Sequence, residues 1–402
     1  MISWPERLLA PFQRQTSSGR YLPEVDGLRC LAVVMVVLFH LHGFFATYEE
    51  PSTVPDLLAA GPGAAMQYLP HAFISRGWFG VQIFFVISGL VLSLPYAAHS
   101  LHGEPRPLVR RYFRRRLIRI EVPYFIALTF SLGMALLYGT GGLREQLPHY
   151  AAGLVYAHAF FFDGEMNPIL HVAWTLELEV QFYLMVPLLC RVFALRKILR
   201  RSLLVAAVVA VDLLAQGSDQ GLSRVIWQFT VLGQLEWFLC GMLLADLSLS
   251  PLLSGIRANG GLGKVDLIGI VAWITVFVLI DFHFEVTPRP FVLLLAFWCV
   301  LAGRGLGAFF RNRWLTAIGV MCYTIYLFHH FFIHVIIGPH ILHKVIPVEK
   351  GNWPANAFIL LILAGIIIIS CGFVYLIVER PFARGRLPWK PAPSGKEKSP
   401  SR

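Results

Sequence analysis

Arg29 and His40 stand eleven residues apart in the stretch EVDGLRCLAVVMVVLFHLHGFF, residues 24–45, whose remaining residues are largely apolar. At 3.6 residues per turn that spacing is about three turns, so both side chains leave nearly the same helix face, about 16 Å apart along the axis. Asp26 and His42 add further ionisable groups to the same stretch. Inside a bilayer each such group costs roughly 2.5–3.5 kcal/mol, which makes a retained one a candidate for function. An arginine is a permanent cation suited to phosphate, and a histidine is the side chain best placed to act as a base near neutral pH. Two plainer roles stay open: an Arg29 that snorkels to headgroups, and a His40 that only bonds a neighbouring helix.

Other apolar stretches carry further candidates. In HVAWTLELEVQFYLMVP, residues 171–187, Glu177 and Glu179 interrupt an apolar run, and Glu179 shares a face with Tyr183 at the i,i+4 spacing. His329 lies in YTIYLFHHFF, residues 323–332. Counting turns from the expected helix ends puts His40, Glu179 and His329 at similar depth in the outer half of a bundle, with Tyr183, His329 and Asp26 as possible pocket or acceptor contacts. Residues 106–119, RPLVRRYFRRRLIR, hold seven arginines. Arg116 and Arg119 are one turn apart, where two guanidinium groups could clamp a phosphorylated ligand. The topology of a basic cytosolic loop would account for the same arginines.

These residues have to be positioned by membrane helices. The 402 residues are 56% hydrophobic and 14% charged, with a mean hydropathy of +0.64, too apolar for a soluble chain of this length. Lipid admits only helices or closed barrels, and long apolar runs of about 20 residues, not ten-residue alternations, indicate helices. The predicted fold class is all-α and polytopic. Ten spans are expected, at 25–46, 78–97, 118–138, 170–190, 202–216, 225–247, 265–281, 289–303, 315–337 and 355–378. The shorter stretch 147–162 is read as a partly embedded or interfacial helix.

Basic residues collect on the cytosolic side of short loops. Arg7, Arg14 and Arg20, the clusters at 106–119 and 191–201, Arg257 with Lys264, Arg304 with Arg311 and Arg313, and the tail from Arg380 are therefore expected inside. Segments 47–77, 139–169, 217–224, 282–288 and 338–354 are poorer in Lys and Arg and are expected outside. That alternation puts both termini in the cytosol if 147–162 does not cross. The chain then divides into a cytosolic segment 1–24, a transmembrane domain 25–380 and a tail 381–402, whose Pro, Ser and Lys content predicts disorder. The net charge of +11 follows from topology and affinity for anionic headgroups, with no nucleic-acid partner implied. No apolar signal-peptide core precedes the first span. The six cysteines, without CxxC spacing, are expected to pack as small apolar residues and to hold no metal.

Six segments carry a resemblance. PEVDGLRCLAVVMVVLFH, GWFGVQIFFVISGLVLS, RRYFRRRLIRIEVPY, WTLELEVQFYLMVPLL, YTIYLFHHF and ERPF, in this order from about Leu22 to Pro381, resemble the signature segments of the acyltransferase-3 family of membrane acyltransferases. The resemblance implies transfer of an acyl group, usually acetyl, from cytosolic acyl-CoA to a carbohydrate, glycolipid or similar acceptor, with no permanently bound cofactor. It implies a cell-membrane location, in bacteria the inner membrane. The family's Arg-to-His spacing falls on Arg29 and His40, its R-x-x-R pair on Arg116 and Arg119, and its segment glutamate on Glu179, five after Trp174. Cys30 replaces the usual glycine after the arginine, and Gln82 a common aspartate. His330 and Phe331 replace the usual Trp-Pro after His329. Several relatives carry a fused extracytoplasmic hydrolase-like domain, and this chain is expected to be a standalone member.

The implied chemistry places the CoA phosphates at Arg116 and Arg119, the pantetheine arm past Arg29, and the thioester near His40 as general base. Glu179 would then orient the imidazole or pair with an arginine. A proton-coupled solute or lipid-linked sugar transporter also keeps His, Glu and Arg in its spans, usually with paired repeats. The sequence shows no such repeat. A non-catalytic membrane scaffold would need fewer inward-facing ionisable groups.

Overall fold

The computed structural model describes residues 4–14, 21–46, 50–138, 141–215, 230–282, 288–342 and 352–382. Among these residues the chain is helical without a β-strand, as the long unalternated runs predict, and one isolated bridge joins Leu262 to Gly303. The helices that build the bundle begin with α1 (Pro23–His42), α2 (Gly80–His102) and α3 (Val109–Leu137). They continue through α4 (Leu143–Leu154), α5 (His158–Phe161), α6 (Ala173–Leu189), α7 (Lys197–Ala215) and α8 (Leu235–Ser248). The last are α9 (Gly263–Leu279), α10 (Arg289–Ala302), α11 (Arg313–Val320), α12 (Cys322–Phe331) and α13 (Trp353–Val378).

Among the described residues five helices are long and apolar enough to cross a bilayer: α1, the continuous Pro62–His102, Tyr112–Leu137, Val231–Ser248 and α13. The pair α11–α12 would make a sixth, bent by 65° at the break. The shorter α6, α9 and α10, together with α7, stand where the other spans are expected. Residues 216 and 225–229, at the edges of two expected spans, lie outside the described residues. The stretch 147–162 is not one helix. It holds the end of α4, a turn, and the single-turn α5, of 12 and 4 residues, each far below the roughly 20 that a crossing needs.

One stripe of α13, with Phe358, Ile362, Ile366, Ile369 and Phe373, is exposed and wholly apolar, while Leu360, Leu363, Ala364, Ile367 and Cys371 are buried. A helix with apolar residues on both faces is at rest only with lipid on one of them. The protein is a multi-pass membrane protein. Ion pairs to buried carboxylates join groups expected on one side of it: Glu24 with Arg257 and Arg311, and Asp246 with Arg200 and Arg201, on the cytosolic side. Arg76 pairs with Asp281 on the other.

Two glycines set how closely α1 lies on its neighbours. A side-chain carbon at Gly319 of α11 would strike the carbonyl of Asp26, and one at Gly27 would strike the carbonyl of Phe310. Small residues let membrane helices approach backbone to backbone, where dispersion and not hydrophobicity holds them. The inner end of α1, with Asp26 and Arg29, is thereby fixed against α11.

Candidate active site

At the inner end of α1 the Asp26 carboxylate, 1% exposed, receives two guanidinium groups. Arg14 donates from Nε to Oδ2 at 2.8 Å, and Arg29 donates from NH1 to Oδ1 at 2.6 Å. Arg29 is therefore tied inside the bundle and does not snorkel to headgroups. Burial pulls the Arg14 guanidinium down to about 10, with Arg29 adding to the effect and Asp26 opposing it. Asp26 thus stands as the anchor of Arg29; it is absent from the cavity wall described next.

A cavity of about 840 Å³, its opening included, lies between α1, α2, α3, α6 and α12. Arg29, Arg119, Glu179 and Tyr183 all line it, with Ser88, Tyr323 and Tyr326. Three helices far apart in sequence thus bring four of the expected residues onto one wall. Arg119 has no ion pair or hydrogen bond among the described residues and lies within electrostatic range of the buried Glu379. The basic stretch before it is not a loop, because α3 begins at Val109 and runs through it. Arg116 lies one turn before Arg119 on that helix, and its side chain lies outside the described residues. Glu179 Oε1 accepts from the Ser88 hydroxyl at 2.6 Å. The Tyr323 phenol donates to the Ile120 carbonyl at 2.9 Å and ties α12 to α3.

His40 and His329 meet beyond the outer end of this cavity, with ring centres 5.0 Å apart. His40 is half-buried and makes no side-chain hydrogen bond among the described residues. His329 is fully buried, and its Nδ1 donates to the carbonyls of Ile325 and Tyr326 at 3.1 and 2.8 Å. A carbonyl only accepts, so Nδ1 carries the proton and Nε2 keeps its lone pair. That Nε2 is buried without a hydrogen-bond partner.

The expected common depth of Glu179 with the two histidines does not hold. The Thr175 hydroxyl and the Tyr326 phenol are hydrogen-bonded at 2.7 Å, which makes these two residues level. From there Glu179 lies one turn inward on α6 and His329 about one turn outward on α12, an offset of about 10 Å along the axes. Helix ends read from hydropathy were too coarse to show it. Glu179 consequently shares its wall with the two arginines, within electrostatic range of Arg29, and has no hydrogen bond to His40.

Glu177 does different work. Its carboxylate accepts the backbone N–H groups of His158 and Ala159 at 3.1 and 3.3 Å, holding the start of α5 onto α6. Tyr156, at φ 54°, turns the chain to reach it. His42, on the far side of α1, is buried against His71 at 2.8 Å and stacked with Trp353 at 5.0 Å between ring centres.

Sequence reasoning passed over three groups. Glu379, in ERPF, accepts the Thr324 backbone N–H at 3.2 Å and its hydroxyl at 2.7 Å, so an anion caps α12 where the α11–α12 break leaves its first amides unpaired. A buried charge just past an apolar helix was the available signal. His330 with His334, and His171 with His330, form ring pairs at 4.1 and 5.3 Å, and His330 also lies 5.8 Å from His40. The i,i+4 spacing of His330 and His334 was legible. Ser88 gave no signal of its own.

The acyltransferase domain family matches residues 22–375. The chain belongs to the acyltransferase-3 family. The chain is similar to O-acetyltransferase OatA of Staphylococcus aureus (strain NCTC 8325 / PS 47), 24% identical over 180 residues, which cover 42% of this chain and 25% of that protein. Peptidoglycan O-acetyltransferase OatA of Listeria monocytogenes is 25% identical over 207 residues, 49% of this chain and 28% of that protein. A putative acetyltransferase, ORF330, of Acidianus two-tailed virus is 25% identical over 186 residues, 46% of each chain. The chain thus spans about a quarter of the length of the two OatA proteins. No solved structure matches it.

Proposed function

We propose that this protein moves an acetyl or other short acyl group from cytosolic acyl-CoA to a hydroxyl of a carbohydrate or glycolipid on the outer side of a cell membrane. The acceptor favoured is a cell-envelope polysaccharide, by analogy with the two OatA proteins, and the topology is ten spans with both termini cytosolic. One observation carries the reading: Arg29 and Arg119 line a single cavity that leads toward a pair of imidazoles, His40 and the fully buried His329. Cations at the inner end and bases at the outer end are what a long phosphorylated donor with a reactive far end requires.

In this mechanism Arg119, with Arg116 one turn away, receives the phosphates of CoA, and the pantetheine arm runs past Arg29. Glu179, held by Ser88, stands between the arginines and the reacting end and keeps the wall polar. His40 takes the proton of the acceptor hydroxyl as that oxygen attacks the thioester carbonyl. Collapse of the tetrahedral intermediate expels the CoA thiolate, and the acyl group leaves on the acceptor. The transporter reading has no observation of its own in the structure.

The test is to give purified protein in liposomes short radiolabelled acyl-CoAs inside and envelope glycans outside. Labelled glycan with stoichiometric free CoA is expected. Transport of the glycan or of protons without acyl transfer would replace this reading with the transporter.

A further inference from the structure

We propose that His40 and His329 form a two-imidazole relay that carries the acceptor's proton inward to the departing CoA sulfur, with His329 as the residue that protonates it. The inference rests on the acyl-CoA reading above. It starts from the order of groups along the bundle. His40 also contacts His330, at 5.8 Å between ring centres, and is not on the cavity wall. His329 touches both His40, at 5.0 Å between ring centres, and Tyr326, at 5.8 Å, whose ring lines the cavity. His329 is therefore the imidazole nearer to a thioester coming up from the cytosolic side, and His40 the one nearer to an acceptor coming from outside.

The hydrogen bonds of His329 suit this task. With Nδ1–H committed to the Ile325 and Tyr326 carbonyls, only Nε2 can exchange a proton; it has no hydrogen-bond partner, and the ring of His40 lies beside it. When Nε2 is protonated the same two carbonyls still hold Nδ1–H, so charging the ring breaks no bond. A purely structural histidine at this place would use both nitrogens, because a buried unpaired acceptor costs stability.

The proton balance closes without any outside agent. The acceptor O–H bond breaks to His40 as the new C–O bond forms. The C–S bond breaks with its electron pair on sulfur. His40 passes the proton to Nε2 of His329, and Nε2 delivers it to the thiolate, giving free CoA as the thiol and two neutral imidazoles. Because one nitrogen of His329 both receives and gives the proton, its tautomer is restored without a ring flip.

A leaving-group comparison tests this. His329→Asn keeps an N–H near the position of Nδ1 but carries no proton, and it is compared with wild type using acetyl-CoA and the acetyl thioester of 4-nitrothiophenol, with solubilised cell-wall glycan as acceptor. The nitrothiophenolate leaves without protonation. The variant is expected to lose about 100-fold in kcat with acetyl-CoA, within the usual range for an acid–base group, and to stay within about fivefold with the aryl thioester. His40→Asn should lose activity with both donors. A proton inventory in H2O–D2O mixtures with acetyl-CoA should be curved for wild type and linear for His329→Asn. Equal losses with both donors, or a linear wild-type inventory, would overturn the relay while leaving acyl transfer intact. A wild type that transfers from neither donor would overturn the underlying reading instead.

Discussion

The Thr175 hydroxyl and the Tyr326 phenol meet at 2.7 Å and set the relative height of α6 and α12, so that Glu179 lies below this contact and His329 above it. In Tyr326→Phe the Thr175 hydroxyl retains the Val172 carbonyl at 3.2 Å, and the expected cost is about 1 kcal/mol. Thr175→Val leaves the phenol without its partner and should cost more. Thermal unfolding of both single variants and the double variant in detergent should give a clearly non-additive cycle. Additive losses would mean that the two groups do not act together.

His40 and His42 lie two residues apart and separate chemistry from packing. His40→Ala should remove at least about 100-fold of the transfer rate and leave the melting temperature unchanged. His42 is no neutral control, because it is buried in the stack with His71 and Trp353. His42→Ala should lower stability by about 1–3 kcal/mol, the cost of an unpaired buried imidazole, with turnover retained in the folded fraction. Transfer within a few fold of wild type in His40→Ala would end its role as base.

Asp26 holds two cations in a buried place. Asp26→Asn leaves Arg14 and Arg29 facing each other without a counter-charge and should destabilise by about 3–5 kcal/mol. Combining it with Arg14→Gln should restore part of the stability and part of the affinity for acyl-CoA. Unfolding and KM measured on the same preparations decide the point; an unchanged Asp26→Asn protein would mean that Arg29 is held by other contacts.

The shared helix of Arg29 and His40 was legible because the 3.6-residue period is a local property. Family resemblance picked out Arg29, Arg119 and Glu179 from segments far apart in sequence, but not that they share one wall. The break at Met321 was not legible, since α11 and α12 together read as one apolar run and the carboxylate that caps Thr324, Glu379, lies 55 residues beyond it. Nor was the offset between Glu179 and His329, which depends on how two antiparallel helices slide past each other. Nor were the partners of His42, because His71 and Trp353 come from distant segments.

Arg119→Ala should raise the KM for acyl-CoA by about tenfold or more with a smaller change in kcat, as loss of uniform phosphate binding requires. Arg106 is exposed and absent from the cavity, and Arg106→Ala should change neither. Equal effects from the two substitutions, followed by steady-state kinetics, would return Arg119 to a topological role.

Single cysteines test orientation. In a background without the six native cysteines, positions 56 and 165 should react with an impermeant thiol reagent on intact cells, while 197 and 313 should react only after permeabilisation. All four side chains are exposed, so a silent position reports its side of the membrane. Labelling at 56 without 165 would make the α4–α5 stretch a crossing.

The Glu379 cap gives the order of synthesis a meaning for this enzyme. α1, with His40, leaves the ribosome first and α12, with His329, much later, but the carboxylate that secures the first amides of α12 follows α13. A growing chain therefore owns every reacting group before it owns their arrangement. On the proposed mechanism the imidazole pair comes into register only once α13 is in place, so a half-made chain in the membrane would not yet turn over its donor.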